Sequence, residues 1–207
     1  KGQSGVIFED ESRYQFIQVV EDEGVRRLYL DEGLATHSVW REDDVLTGGV
    51  WDTYVAVVDL LGRQPERVAM LGNAAGTAAR AYERFYPEAE VDGVELDPAV
   101  SDAGRRYFGM EEIETLSVHD ADARAFLRRT DETYDVIIVD AYRPPYVPFY
   151  LATKEFFELV RKRLRPGGIV ALNVATTPEN HDLADNIGGT LATVLPRAIA
   201  WQPLRFH

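Results

Sequence analysis

Acidic side chains stand where several apolar runs of this sequence stop. Glu95 follows EVDGV, Asp120 ends TLSVH with Asp122 close behind, and Asp140 follows YDVIIV. Another run, RVAML, stops at a glycine loop, LGNAAGT (71–77). Glycine lets backbone approach a ligand closely. An acid about 20 residues further on accepts hydrogen bonds from ribose hydroxyls, and Glu95 stands 23 residues after Gly72. The set points to a nucleoside pocket, with Gly72, Asn73, Gly76, Glu95 and Asp122 as candidate binding residues. The loop reads G-N-A-A-G and not G-x-G-x-x-G, so a dinucleotide is disfavoured and an S-adenosylmethionine-type ligand fits better.

Each of these residues also has a plainer use. Gly72 and Gly76 can serve only a tight turn. Asp97 is placed to cap the helix that begins at Pro98, and Asp120 can be a solvated loop acid. Asp140 is harder to explain away, because an acid directly after IIV stands at the mouth of a sheet. The loop beyond it, AYRPPYVPFYL, brings Tyr142, Tyr146 and Tyr150 as candidate cavity walls and Arg143 as a lone cation.

Strands alternating with helices must position these residues. RVAML (67–71), EVDGVELD (90–97), TLSVHD (115–120), YDVIIVD (134–140), GIVALNV (168–174) and AIAWQPL (198–204) read as strands. TAARAYERF (77–85), PAVSDAGRRYF (98–108), ARAFLRR (123–129), a segment from Thr153 to Leu164, and DLADNIGGTLATVL (182–195) read as helices. Thr153 is the expected N-cap of its helix, and Pro166-Gly167-Gly168 the expected stop. Short, continuous apolar strands in such an alternation predict an α/β fold with a Rossmann-like parallel sheet covered on both faces. Ligands then bind beyond the carboxyl ends of the strands, where strand order reverses.

Residues 1–48 follow a different period. YQFIQVVED and VRRLYLDEG alternate apolar and polar positions about an EDEG turn, which predicts a small antiparallel hairpin module. Gly48-Gly49 separates it from the nucleoside-binding region, 49–207, which WDTYVAVVDLLG (51–62) opens with helical spacing.

The 207 residues are 45% hydrophobic, enough for one substantial core. A net charge of −13 disfavours a nucleic-acid partner and is compatible with a cationic substrate such as a polyamine. Arg161, Lys162, Arg163 and Arg165 read as the last turn of a helix complementing its dipole. No cysteine is present, so thiolate chemistry and disulfides are excluded. No His/Asp/Glu spacing makes a metal site. His37 either lines the cavity or is structural, and His119 reads as a satisfied, buried histidine. No run approaches the roughly 18 apolar residues of a membrane span. The start, KGQSGVIFED, has no signal-like hydrophobic region; it also lacks an initiator Met, which leaves a removed leader open.

The order of motifs from about residue 8 to 175 resembles the spermidine synthase (polyamine aminopropyltransferase) family. Tyr14-Gln15 matches its early Tyr-Gln pair, LYLDEGLAT its L-x-L-D-G-x-x-Q segment, and Tyr54 the tyrosine before the core domain. LGNAAGTAAR stands at its G-G-G-D-G-G loop, Glu95 with Asp97 at V-E-x-D, Asp122 at the adenine-contacting acid, and Asp140-Ala-Tyr-Arg-Pro at D-S-T-D-P. The resemblance implies decarboxylated S-adenosylmethionine as the aminopropyl donor and a small-molecule amine as acceptor, with Asp140 as general base. It implies that Tyr14, Gln15 and Tyr54 line the amine channel, with Tyr142 and Arg143 beside them. It further implies a homodimer; a cytoplasmic location is a separate expectation.

Three departures bear on the reaction. The family's glycine-loop acid is Ala75 here, its second D-x-x-D acid is Arg143, and its Gln falls at Thr36. An inward Arg143 would repel an ammonium about 4 Å away by roughly 4 kcal/mol at an effective dielectric near 20. Two other readings therefore stay open: a methyltransferase using intact S-adenosylmethionine, and a catalytically silent nucleoside-binding relative. Folds of this kind also close with an antiparallel strand beyond 198–204, which the sequence to His207 does not reach.

Overall fold

The computed structural model describes residues 5–31, 35–141, 148–174 and 181–195. The alternating segments FIQVVED and VRRLYL form β2 (Phe16–Asp22) and β3 (Val25–Leu30). Glu23 and Gly24 join them, both at positive φ, as a two-residue hairpin turn of this hand requires. Ile17, Val19 and Leu28 are fully buried on one face. Two strands that the alternation did not reveal flank this hairpin, β1 (Val6–Glu11) and β4 (Thr36–Trp40). The four make an antiparallel sheet in sequential order. Glu9, Asp10 and Glu11 are exposed along β1, and charge of this kind protects an edge strand against further pairing.

Helix α1 (Val50–Ala56) continues as a 3-10 turn through Leu61, so the predicted helix at 51–62 tightens at its midpoint. Five parallel strands follow: β5 (Arg67–Leu71), β6 (Glu90–Glu95), β7 (Leu116–Asp120), β8 (Tyr134–Val139) and β9 (Leu164–Leu172). Their spatial order is β7-β6-β5-β8-β9. Between them run α2 (Thr77–Phe85), α3 (Pro98–Tyr107), α4 (Ala123–Arg129) and α5 (Lys154–Arg163), with α6 (Asp182–Ala192) after β9. One core layer joins Leu127, Ile137, Phe156, Phe157 and Ile187. Another, on the opposite face, joins Tyr54, Val68, Tyr82, Met110 and Ile138. The predicted α/β fold with a Rossmann-like parallel sheet is the fold observed.

Helix α5 ends at Arg163, one residue earlier than its apolar spacing predicts. Arg165 precedes Pro166, and a residue before proline is steered out of the helical region. Leu164 is already extended, and β9 begins there. Its pairing with β8 shifts between Leu164 and Ile169, so the Pro-Gly-Gly segment is accommodated as an irregularity inside the strand. Thr153 caps α5 as expected, accepting from Phe156 N at 3.2 Å. Tyr142, Arg143, Tyr146 and the predicted strand 198–204 lie outside the described residues. Among those described, no helix is long and apolar enough to cross a membrane.

From β5 the chain builds outward to β7, then crosses back to β8. Strand order therefore reverses between β5 and β8, and their carboxyl ends meet there. Gly72 has φ 100°, and a Cβ built on it would stand 2.5 Å from the Asp140 carbonyl oxygen. Both the left-handed backbone and the contact demand glycine. Gly72→Ala should lower unfolding free energy by about 2–4 kcal/mol. Urea denaturation checks this, and a midpoint equal to wild type would show that the two strand ends can separate freely.

Candidate active site

At this switch point a cleft opens, lined by residues from both sheets. Gly72 and Ala74 come from the loop after β5, and Val94, Glu95 and Leu96 from the end of β6. Ala121, Asp122 and Ala123 follow β7, Asp140 and Ala141 follow β8, and Pro148, Tyr150 and Leu151 belong to the turn before α5. The antiparallel sheet supplies Tyr14, Gln15, Leu30 and His37. Among the described lining residues there are three carboxylates and no lysine or arginine, so the field in the cleft favours a cation.

Glu95 is held at both oxygens. One accepts from Ala74 N at 3.0 Å and the other from Asp97 N at 3.0 Å. Ala74 adopts φ 46°, an unusual conformation for a residue with a Cβ, and this aims its N–H at the acid. Burial pushes the Glu95 carboxyl up in pKa, while its backbone hydrogen bonds pull the other way. Each oxygen keeps a lone pair for a ligand hydroxyl. Asp122 is the N-cap of α4, accepting from Ala125 N at 2.8 Å through Oδ1. Capping and lining are thus done by one side chain.

Asp140 sits just past β8, and Asn173 Nδ2, just past β9, donates to its Oδ1 at 2.9 Å. Burial raises its pKa to about 6, against the opposing influence of Asn173 and Tyr54. Tyr54 is buried, and no described residue meets its hydroxyl at full hydrogen-bond geometry. It nevertheless lies close enough to Asp140 that burial and the carboxylate together push the phenol far above its ordinary range.

The plainer reading of Asp97 also holds. It caps α3 through Ala99 N, and its other oxygen accepts from Ser12 Oγ at 2.6 Å and Gln15 Nε2 at 3.2 Å. Asp97 thereby fixes the loop that carries Tyr14 and Gln15 over the end of β6. Asp120 is exposed and accepts from Ser101 Oγ at 2.6 Å, outside the cleft lining. His119 pairs with Asp92 Oδ1 at 2.7 Å and packs on Phe126, so its ring is satisfied, though it is half-exposed and not buried.

Asn73 and Gly76, expected to bind the ligand, do not line the cleft. The loop turns on left-handed residues at 72, 74 and 76, which sends the Asn73 amide inward to Met110 Sδ at 3.4 Å. Gly76 becomes the N-cap of α2 against Met110. Ala75 is buried too, with its N–H donating to Ser38 Oγ at 3.0 Å. Asn173, Leu30 and Leu96 escaped the sequence reading. Asn173 was findable, because it is a polar residue just past a strand end and falls under the rule that singled out Asp140.

A family model described as the spermine/spermidine synthase domain matches residues 52–204. A probable polyamine aminopropyl transferase of Bifidobacterium longum is 32% identical over 205 residues, 94% of this chain and 45% of that protein. A polyamine aminopropyltransferase of Vibrio vulnificus is 31% identical, over 87% of this chain and 63% of that protein. The chain thus spans about half the length of these curated relatives. A crystal structure of spermidine synthase in complex with the transition-state analogue AdoDATO superposes with a TM-score of 0.76. That match covers 93% of this chain and 66% of the other at 20% identity, and it shows the shared fold. By sequence, the chain belongs to the spermine/spermidine synthase family.

Proposed function

We propose that this chain carries the catalytic region of an aminopropyltransferase. It moves an aminopropyl group from decarboxylated S-adenosylmethionine to a small-molecule amine. One observation carries the reading: Gly72, Glu95, Asp122 and Asp140 converge at the switch-point cleft, with no lysine or arginine among its described lining. That setting fits a nucleoside bearing positive charge. The names of the relatives, and the analogue bound to the spermidine synthase of similar fold, support the same choice of donor.

The donor supplies an aminopropyl carbon activated by a sulfonium. The chain's own residues do the rest. Gly72, having no Cβ to meet the Asp140 backbone, lets the loop pack against the end of β8 at the edge of the cleft. Glu95, fixed by two backbone donors, accepts from ribose hydroxyls, and the free oxygen of Asp122 faces the base. Tyr14 and Gln15, which line the cleft, are assigned to the amine end, and the same role is proposed for Tyr54, which is buried near Asp140 outside that lining, and for Tyr142 and Arg143. Asp140 takes the proton that the amine must lose to attack. With a pKa of about 6 it is ionised at neutral pH yet basic enough to accept a proton.

The methyltransferase reading loses one argument, since Ala75 faces the core beneath Ser38 and not the ligand. An amine panel incubated with each donor and scored by mass separates the reactions, by gain of an aminopropyl or of a methyl group. The division of the chain at residue 48, a homodimer and a cytoplasmic location belong to the same proposal. Limited proteolysis, sedimentation and fractionation test them in turn.

Methylthioadenosine should bind in calorimetry with a Kd in the micromolar range, and no heat at about 1 mM ligand would sink the cofactor reading. Asp140→Asn should reduce kcat/KM by about 10²- to 10⁴-fold while leaving methylthioadenosine affinity nearly unchanged. In the wild type, kcat/KM should rise with pH through about 6. A silent relative predicts no activity to lose.

The same substitution should stabilise the fold. The Asp140 pKa is raised on folding, so the ionised carboxylate costs stability at all pH values above about 6 and costs nothing below about 4. Asp140→Asn should therefore gain about 1–3 kcal/mol at neutral pH, discounted for partial exposure, with the gain vanishing near pH 4. Urea titrations at the two pH values check the sign, and equal gains at both would disprove the linkage.

A further inference from the structure

His37 stands in β4 and lines the cleft on the wall formed by the antiparallel sheet, beside Tyr14, Gln15 and Leu30. The amide and the acids around it each already have a protein partner. Gln15 donates to Asp97, Glu95 accepts from Ala74 and Asp97, Asp122 caps α4, and Asp140 accepts from Asn173. Among the described residues the His37 ring forms no hydrogen bond or ion pair, and it lines the cleft. Burial lowers its pKa, and the charge of Asp31 only partly opposes this. The imidazole is therefore neutral at pH 7, with one nitrogen as donor and the other as acceptor.

The nucleoside end of the cleft is supplied by the strand ends, through Gly72, Glu95 and Asp122. His37 lies on the facing sheet, on the wall shared with the residues assigned to the amine end. We propose that His37 sets acceptor specificity, offering an uncharged ring nitrogen to the second nitrogen of a diamine whose first nitrogen lies at Asp140. This inference rests on the aminopropyl-transfer reading. A second ammonium can donate to a neutral imidazole, whereas an alkyl end cannot, so the residue favours diamines over monoamines of equal length.

The groups facing His37 are Asp31 at the end of β3, Tyr14 and Gln15 from the lead-in to β2, Tyr150, and the acids Glu95, Asp122 and Asp140 across the cleft. Protonating His37 removes the acceptor and adds a like charge, so diamine affinity should fall with pH. Asp140 also takes up a proton as pH falls through about 6. A monoamine meets Asp140 equally, and the diamine-to-monoamine ratio therefore isolates His37.

The test is calorimetry of butane-1,4-diamine and butylamine on the protein saturated with methylthioadenosine. The affinity ratio should fall about tenfold in His37→Leu and be largely recovered in His37→Gln, which keeps an acceptor. In the wild type the ratio should fall on acidification, below the ordinary imidazole range because burial lowers the His37 pKa, and in His37→Gln it should stay flat. Methylthioadenosine should bind both variants as it binds the wild type, which also reports that they fold. An unchanged ratio in His37→Leu, or weakened methylthioadenosine binding in its place, overturns the assignment. If methylthioadenosine fails to bind the wild type, the aminopropyl-transfer reading itself has failed, and the assignment falls with it.

Discussion

The whole arrangement depends on how closely the ends of β5 and β8 approach one another. Asp140 N donates to Leu71 O at 2.8 Å, and Gly72 lies directly against the Asp140 carbonyl with no room for a Cβ. Gly72 N and Asn73 N both donate to Val94 O, so the same loop is tied to the end of β6. Three strand ends are thus locked by backbone contacts, to which Glu95 adds its bonds from Ala74 N and Asp97 N, and the remaining lone pairs of Glu95 and Asp140 can serve a ligand. A parallel sheet whose strand order reverses at this point creates the crevice, and one glycine sets its width.

The antiparallel sheet closes that crevice through small hydroxyl side chains. Ser12 ties its first loop to Asp97, and Ser38 receives Ala75 N. The Thr77 hydroxyl exchanges hydrogen bonds with both the N–H and the carbonyl of Val39 at 2.9 and 3.0 Å. Thr77 therefore satisfies backbone groups on the outer edge of β4 and anchors that edge to the start of α2. Ile17, Val19 and Leu28 bury against Ala75, Val100, Ala103 and Phe108 beneath these contacts. Each hydroxyl is short, so its partners must come close, and the position of Tyr14, Gln15 and His37 over the strand ends follows from that.

Much of this was legible in advance. The parallel strands are continuous apolar runs with charged or glycine termini, and their period separates them cleanly from the helices. The candidate residues Gly72, Glu95, Asp122 and Asp140 were found by one rule, that ligands meet strand ends in such sheets, and all four line the cleft. Other features carried no local signal. β1 is half acidic, VIF followed by EDE, so it lacks the alternation that marks its neighbours, and its pairing with β2 fixes it as a strand. Asn73, Ala75 and Gly76 share a loop with Gly72, and only the sequence of left-handed dihedrals decides which side chains turn toward the cleft. His37 was ambiguous for the same kind of reason, since its environment is built from residues far away in the chain.

The electrostatics of the cleft tie stability to ligand choice. Burial pushes Glu95 and Asp140 both upward in pKa, which means that folding holds two carboxylates away from water at a cost. Within the described lining no arginine or lysine offsets that cost, although the chain pairs buried acid with arginine elsewhere, as Asp135 does with Arg63 and Arg165. A ligand that brings positive charge supplies the missing counter-ion and recovers desolvation free energy that folding has already spent. A neutral nucleoside gains only its hydrogen bonds. The proposed sulfonium donor and ammonium acceptor would suit acids that no described arginine or lysine pairs, before any particular shape of substrate is considered.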